Sequence, residues 1–200
     1  GGVAGGDHLS LEVDAAPGTQ SLVTTPAATK LYRSFGARVS RIEQQLVVDD
    51  ALLEWLPQET IVFRGARTRL ATRVQLAGRA RFIGWEILCL GRPASAETFE
   101  TGSIAQDFEL WHEGRPLLLD RLRLQGADAA LGAAWGLAGE PVLGTLLAFP
   151  ADAAMLALAR SHATGPGVAA TLVDGVLLVR ARGAQGESVR KALEQLWRAL

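Results

Sequence analysis

The chain has 200 residues, 48% of them hydrophobic and 20% charged, with a formal net charge of −1. That is long and apolar enough for one globular domain with a sizeable core, which excludes a disordered chain; near-neutrality excludes general attraction to nucleic acid or an anionic membrane. A lone cysteine, Cys89, excludes an intramolecular disulfide framework and fits a reducing compartment.

The opening run Gly1-Gly2-Val3-Ala4-Gly5-Gly6 lacks the Gly-Lys-Ser/Thr that holds phosphate and Mg²⁺, and reads as a flexible turn. No signal peptide is visible, although the sequence opens without an initiator Met, and the cytoplasm is the expected location. No apolar run reaches the ~18 residues of a membrane helix.

From Leu9 to about Gln125 the dominant period is two. Leu9 to Val13 alternates, Pro17-Gly18 turns the chain, and Ser21 to Thr25 runs extended. Ile42, Gln44, Leu46 and Val48 share one strand face, ended by a turn at Asp49-Asp50. Leu70, Thr72, Val74 and Leu76 form the inner face of a half-buried strand whose outer face carries Arg69, Arg73 and Gln75. Phe82 to Leu90 is apolar on both faces, as in a strand covered on both sides. Asp107 to His112 and Leu117 to Leu124 flank Glu113-Gly114-Arg115-Pro116, a hairpin signature.

Beyond this the pattern changes. Gly126 to Gly144 is rich in Gly and Ala and reads as a long connection. Pro150-Ala151-Asp152 starts a helix through Met155 to His162. Asp174-Gly175 joins the strands Val168 to Val173 and Val176 to Arg182. Ser188 to Leu200 forms an amphipathic helix with Val189, Leu193, Leu196, Trp197 and Leu200 on one side. The helices are expected near 151–162 and 187–199. No solenoid repeat of fixed period is present. The expected fold is mainly β, a large coiled or sandwich-like antiparallel sheet with a small α+β C-terminal part: a single domain over 1–200, β-rich over 1–149 with the α+β tail over 150–200.

Catalytic signatures are missing: no Gly-x-Ser-x-Gly, no His-Glu-x-x-His, no Cys-x-x-Cys. His8, His112 and His162 lie far apart without ligand spacing, and Cys89 reads as a small core residue. The unusual residues are carboxylates on apolar faces. Asp120 shares a face with Leu118, Leu122 and Leu124; Glu86 sits among Phe82, Ile83, Trp85, Ile87 and Leu88; Glu54 lies between Leu52 and Leu56. A buried carboxylate protonates or finds a cation or donors. Its structural explanation is a salt bridge to an arginine such as Arg79, Arg92 or Arg121. Its functional explanations are an interior polar path for a divalent cation, or an acid–base pair of Asp120 and Glu86. Asp7, after a Gly-Gly turn, reads equally as a cap.

Four stretches carry a resemblance: Gly5-Gly6-Asp7 leading to Pro17-Gly18; Thr24 to Lys30 with Leu31-Tyr32-Arg33-Ser34; Leu53 to Thr60 with Phe63 and Gly65-Ala66; and Gly84 to Pro93 with Glu97-Thr98-Phe99 and Gly102. Trp111, Arg115 to Leu118 and Gly144-Thr145-Leu146 continue it. In this order they resemble the UreD family of urease accessory proteins over nearly the whole chain. The resemblance implies a non-catalytic, coiled-sheet scaffold. It implies partners too: UreF, through it the GTPase UreG, and apo-urease, to which nickel is passed through an internal tunnel. No permanently bound cofactor is implied. Asp7, Glu86 and Asp120 become candidates for a transient nickel path, where weak oxygen ligands let a metal move on and a His/Cys cage would trap it. The alternative is a structural adaptor of the maturation complex with no metal contact. Family members begin with several more strands before the Gly-Gly-Asp turn, so an exposed sheet edge is expected here. At Asp120 they more typically carry glutamate.

Overall fold

The computed structural model describes residues 2–163 and 167–200; Gly1, the first residue of the glycine-rich opening, lies outside them. The period-two segments form strands that wind as a coil. Its first turn is β1 (Gly2–Val3), β2 (His8–Ala15) and β3 (Gln20–Val23); its second β4 (Thr29–Leu31), β5 (Ser40–Asp49) and β6 (Leu52–Trp55); its third β7 (Thr60–Val62), β8 (Arg67–Ala77) and β9 (Arg81–Leu90). Each strand of the first turn stacks in parallel on its counterpart in the second. The next layer continues it, with β5 on β8, β4 on β7 and β6 on β9. The expected coil of sheet is present, but this part of it is parallel where an antiparallel arrangement was expected. Stacked residues such as Val13, Leu46 and Val74 are unequally spaced in the chain because the connections differ in length, which hides the repeat from a fixed-period search.

The rest of the chain completes two layers. β10 (Ser103–His112) lies parallel to β8, and β11 (Arg115–Gln125) returns antiparallel. Their two-residue turn uses Glu113 and Gly114 at φ 49° and 71°, the positive pair a tight hairpin needs. Arg115 and Pro116 belong to the strand. A short helix α1 (Ala129–Gly132) interrupts the Gly/Ala-rich connection, which ends earlier than expected: β12 (Val142–Phe149) begins inside it. Then come α2 (Ala153–His162), the hairpin β13 (Val168–Val173) and β14 (Val176–Gly183), and α3 (Gly186–Ala199). One sheet has nine strands, with the path β1-β4-β7-β9-β12-β14-β13 and β3-β6 joined to β9; the other has five, ordered β11-β10-β8-β5-β2.

The outer face of the nine-stranded sheet is covered by α2 and α3. Asp152 caps α2, accepting from the Met155 N–H at 2.9 Å. Val189, Leu193 and Leu196 of α3 are buried against Trp85, Ile87, Leu146 and Val179. Trp197 Nε1 donates to Glu54 Oε1 at 2.7 Å, so Glu54 faces α3 and is satisfied there. A Cβ on Gly144 would lie 2.6 Å from Val189 Cγ1 and 3.0 Å from Leu193 Cδ1, so α3 approaches β12 closely because this residue is glycine. Between the sheets lie two further apolar clusters, one around Leu46, Val74, Phe82 and Phe108, the other around Leu31, Leu88, Ile104 and Leu124. Among the described residues no helix is long and apolar enough to cross a membrane.

Two expectations follow from this packing. Gly144→Val should push α3 off β12 and lower stability by about 1–3 kcal/mol, read by urea unfolding; an unchanged midpoint would contradict the close approach. Among the described residues β1, β2 and β3 each pair on one side only, and Leu9, Leu11 and Leu22 are 43%, 39% and 50% exposed there. A polypeptide of these residues should self-associate. Sedimentation velocity should show oligomers that shift toward monomer in Leu9→Lys/Leu11→Lys; a clean monomer of the unsubstituted chain at high concentration would refute it.

Candidate functional site

The apolar interlayer is cut in two by a polar band. Strand pairing puts Glu86, Thr145 and Arg180 side by side on β9, β12 and β14 of one sheet. On the facing sheet Gln44, Thr72, Phe108 and Asp120 are aligned across β5, β8, β10 and β11, with Gln106 two residues before Phe108. Apolar residues flank the band along several of these strands: Ile42 and Leu46 around Gln44, Leu70 and Val74 around Thr72, and Leu88 beside Glu86. The band thus separates the two interlayer clusters.

Its members bond across the gap. Glu86 is bonded to the Thr72 hydroxyl through Oε1 and accepts from Gln106 Nε2 at Oε2. Thr72 Oγ1 also lies 2.7 Å from Gln44 Oε1. A hydroxyl has one proton. With Gln44 so oriented, the network balances only when Glu86 is protonated and donates to Thr72. The electrostatics agree: burial pushes the Glu86 carboxyl above its ordinary range, the bonds to Thr72 and Gln106 pull it down, Asp120 adds to the rise and Arg180 opposes it. Farther along, Arg180 Nη2 donates to Asp120 Oδ2 at 2.6 Å and Nη1 to Thr145 Oγ1 at 3.0 Å. Glu86, Gln106, Asp120 and Thr145 line one enclosed cavity of about 10 Å³, room for about one water molecule.

Glu86 and Asp120 are therefore brought together, from opposite sheets. Asp7 is not. It is exposed, and its Oδ2 accepts from the Ala4 N–H at 2.8 Å, holding the Gly5-Gly6 turn. The arginines named from sequence as structural partners are engaged elsewhere: Arg79 with Asp50, Arg92 with Glu97, and Arg121 with Asp107 and Glu109. Asp120 pairs instead with Arg180, and Glu86 with Thr72 and Gln106. Thr72 and Gln44 were visible in the sequence as polar residues on the shared faces of strands, whereas Gln106 was missed because its strand, expected from Asp107, begins at Ser103. Thr145 was missed because no strand was assigned there: the first three residues of β12 fell in the expected connection and the rest were left unassigned.

Cys89 is buried against α3, and burial with the nearby Glu59 charge pushes its thiol up to about 12, so it is a poor nucleophile at neutral pH. His8 lies 3.3 Å from Glu43, His112 bonds to the Gly78 carbonyl and His162 to the Leu158 carbonyl. Among the described residues no group of three or more His, Cys, Asp or Glu is arranged to hold a metal ion.

Fold and band together define a coiled-sheet protein with an acidic interior seam. The family described as UreD urease accessory protein matches residues 1–200. Relatives named urease accessory protein UreD include those of Azoarcus sp. (strain BH72), 44% identical over 100% of this chain and 71% of its own length; Dechloromonas aromatica (strain RCB), 42% over 100% and 72%; and Klebsiella aerogenes, 38% over 100% and 73%. The chain belongs to the UreD family.

The band gives stability a pH signature. The folded-state Glu86 pKa lies above its unfolded value near 4.5, so its contribution is fully present below that pH and is lost as pH rises through the raised value. Glu86→Gln keeps a donor for Thr72 and cannot ionise. Relative to the variant, the unsubstituted protein should lose stability as pH rises from about 4.5, the unfolded value, toward 8, measured by urea unfolding at each pH. A difference independent of pH would show that Glu86 does not titrate in the band.

Proposed function

We propose that the protein is a non-catalytic urease maturation factor. It binds UreF, and through it UreG, and helps to deliver nickel to apo-urease along the polar band that holds Glu86 and Asp120. Family membership supports a role in urease maturation. The observation that carries the path is that two carboxyl groups from opposite sheets line one interlayer cavity between two apolar clusters. Carboxylate, amide and hydroxyl oxygens suit a divalent cation that must leave again. The buried thiol of Cys89, the chain's one cysteine, supports work in the cytoplasm.

A second reading is a structural adaptor for the same complex without metal contact. The ion pair that already satisfies Asp120, and the turn that already employs Asp7, favour it. Glu86→Gln, Asp120→Asn and Asp7→Asn separate the two when thermal stability, UreF pull-down and urease activation in co-expressing cells are measured side by side. On the path reading Glu86→Gln and Asp120→Asn fold, retain UreF and lower urease activity several-fold, while Asp7→Asn reports whether the surface turn takes part. Full activation by the two interior variants with normal complexes would leave the adaptor. Loss of folding would assign the carboxylates a structural role.

A further inference from the structure

The band carries a fixed positive charge beside the Asp120 carboxylate, and its place is specific. Arg180 stands on β14, next to the edge strand β13, and Asp120 on β11, the edge strand of the facing sheet. Their ion pair closes the interlayer along that margin. Their side chains are 33% and 26% exposed, so water reaches the pair from outside, while Asp120 and Thr145, the two residues holding the guanidinium, line the cavity inside. The residue paired with Arg180 on β13 is Ala169, small and exposed. Nothing bulky at that position hinders the guanidinium from turning outward. Arg182, the next residue on the same face, is tied instead to the Gly136 carbonyl at 2.8 Å and stays clear of the acids.

We propose that Arg180 is the displaceable counter-ion and gate of the band, occupying Asp120 while the path is empty and swinging to solvent when a divalent cation takes its place. This rests on the path reading above. A guanidinium keeps its charge at any working pH, so it frees Asp120 only by moving. The exchange is then one cation for another at the same carboxylate oxygen, so Asp120 keeps a cationic partner at both ends of the step. The forked contact, one nitrogen on Asp120 and the other on Thr145, holds the closed position.

Nickel(II) alone is the probe, by equilibrium dialysis on the purified protein, with urease activation measured in co-expressing cells. Arg180→Gln should bind Ni²⁺ about tenfold more tightly than the unsubstituted protein. Adding Asp120→Asn should abolish the gain, and Arg180→Lys should stay near the unsubstituted affinity. Thr145→Val removes one anchor of the fork and should give a smaller gain in the same direction, which keeps the test open if Arg180→Gln does not fold. Urease activation should fall in Arg180→Gln because the cation is retained. Unchanged Ni²⁺ affinity in both Arg180→Gln and Thr145→Val, with activation still lost in Asp120→Asn, would overturn the gate and leave the path. Tighter Ni²⁺ binding in Arg180→Gln alongside full activation by Asp120→Asn would keep the counter-ion and remove the path.

Discussion

The bonds that cross the interlayer at Glu86 and Asp120 are the constraint on which the rest of the structure depends. A carboxylate between two sheets is tolerated only where donors or a cation meet it, and here every partner comes from the facing sheet or the adjacent strand. This fixes more than two side chains. A slip of one residue in β9 or β11 would turn Glu86 toward α3 or Asp120 toward solvent, and would put their apolar neighbours on the wrong face. The polar band therefore sets the register of both sheets at once, and the apolar clusters on either side fill in around it.

The strand periodicities and both long helices were legible in the sequence because each depends on local pattern. Phe82 to Leu90, apolar on both faces, lies as expected between two covered surfaces: the facing sheet and α3. The parallel pairing was not legible, since it depends on which distant strands stack, and the unequal connections remove the periodicity that would have announced it. β12 was missed for a different reason. Gly144 looks like loop composition, whereas it is there to let α3 sit down on the sheet.

The candidate site shows the same division. That Glu86 and Asp120 needed a partner followed from their faces alone; which partner did not. Arg121 is adjacent to Asp120 in sequence and points to the opposite face, where it joins Asp107, Glu109, Arg73 and Arg123 in a ladder of ion pairs on the outer surface. Arg180 is remote in sequence and directly opposite in space. Sequence proximity misled for the simple reason that consecutive strand residues diverge. Asp7 was ambiguous from its glycine turn, and in the structure it holds that turn.

The position of β14 has a consequence for how the chain assembles as it is synthesised. The coil turns emerge first and can stack in order, each contacting its predecessor. Asp120 leaves the ribosome well before Arg180, and the layer meant to cover it is still missing its last strands. Until the C-terminal hairpin arrives, the acidic seam lies open to water as one wall of an unclosed groove. Closure of the interlayer thus waits for β14, which brings the residue that stands at its margin in the finished molecule.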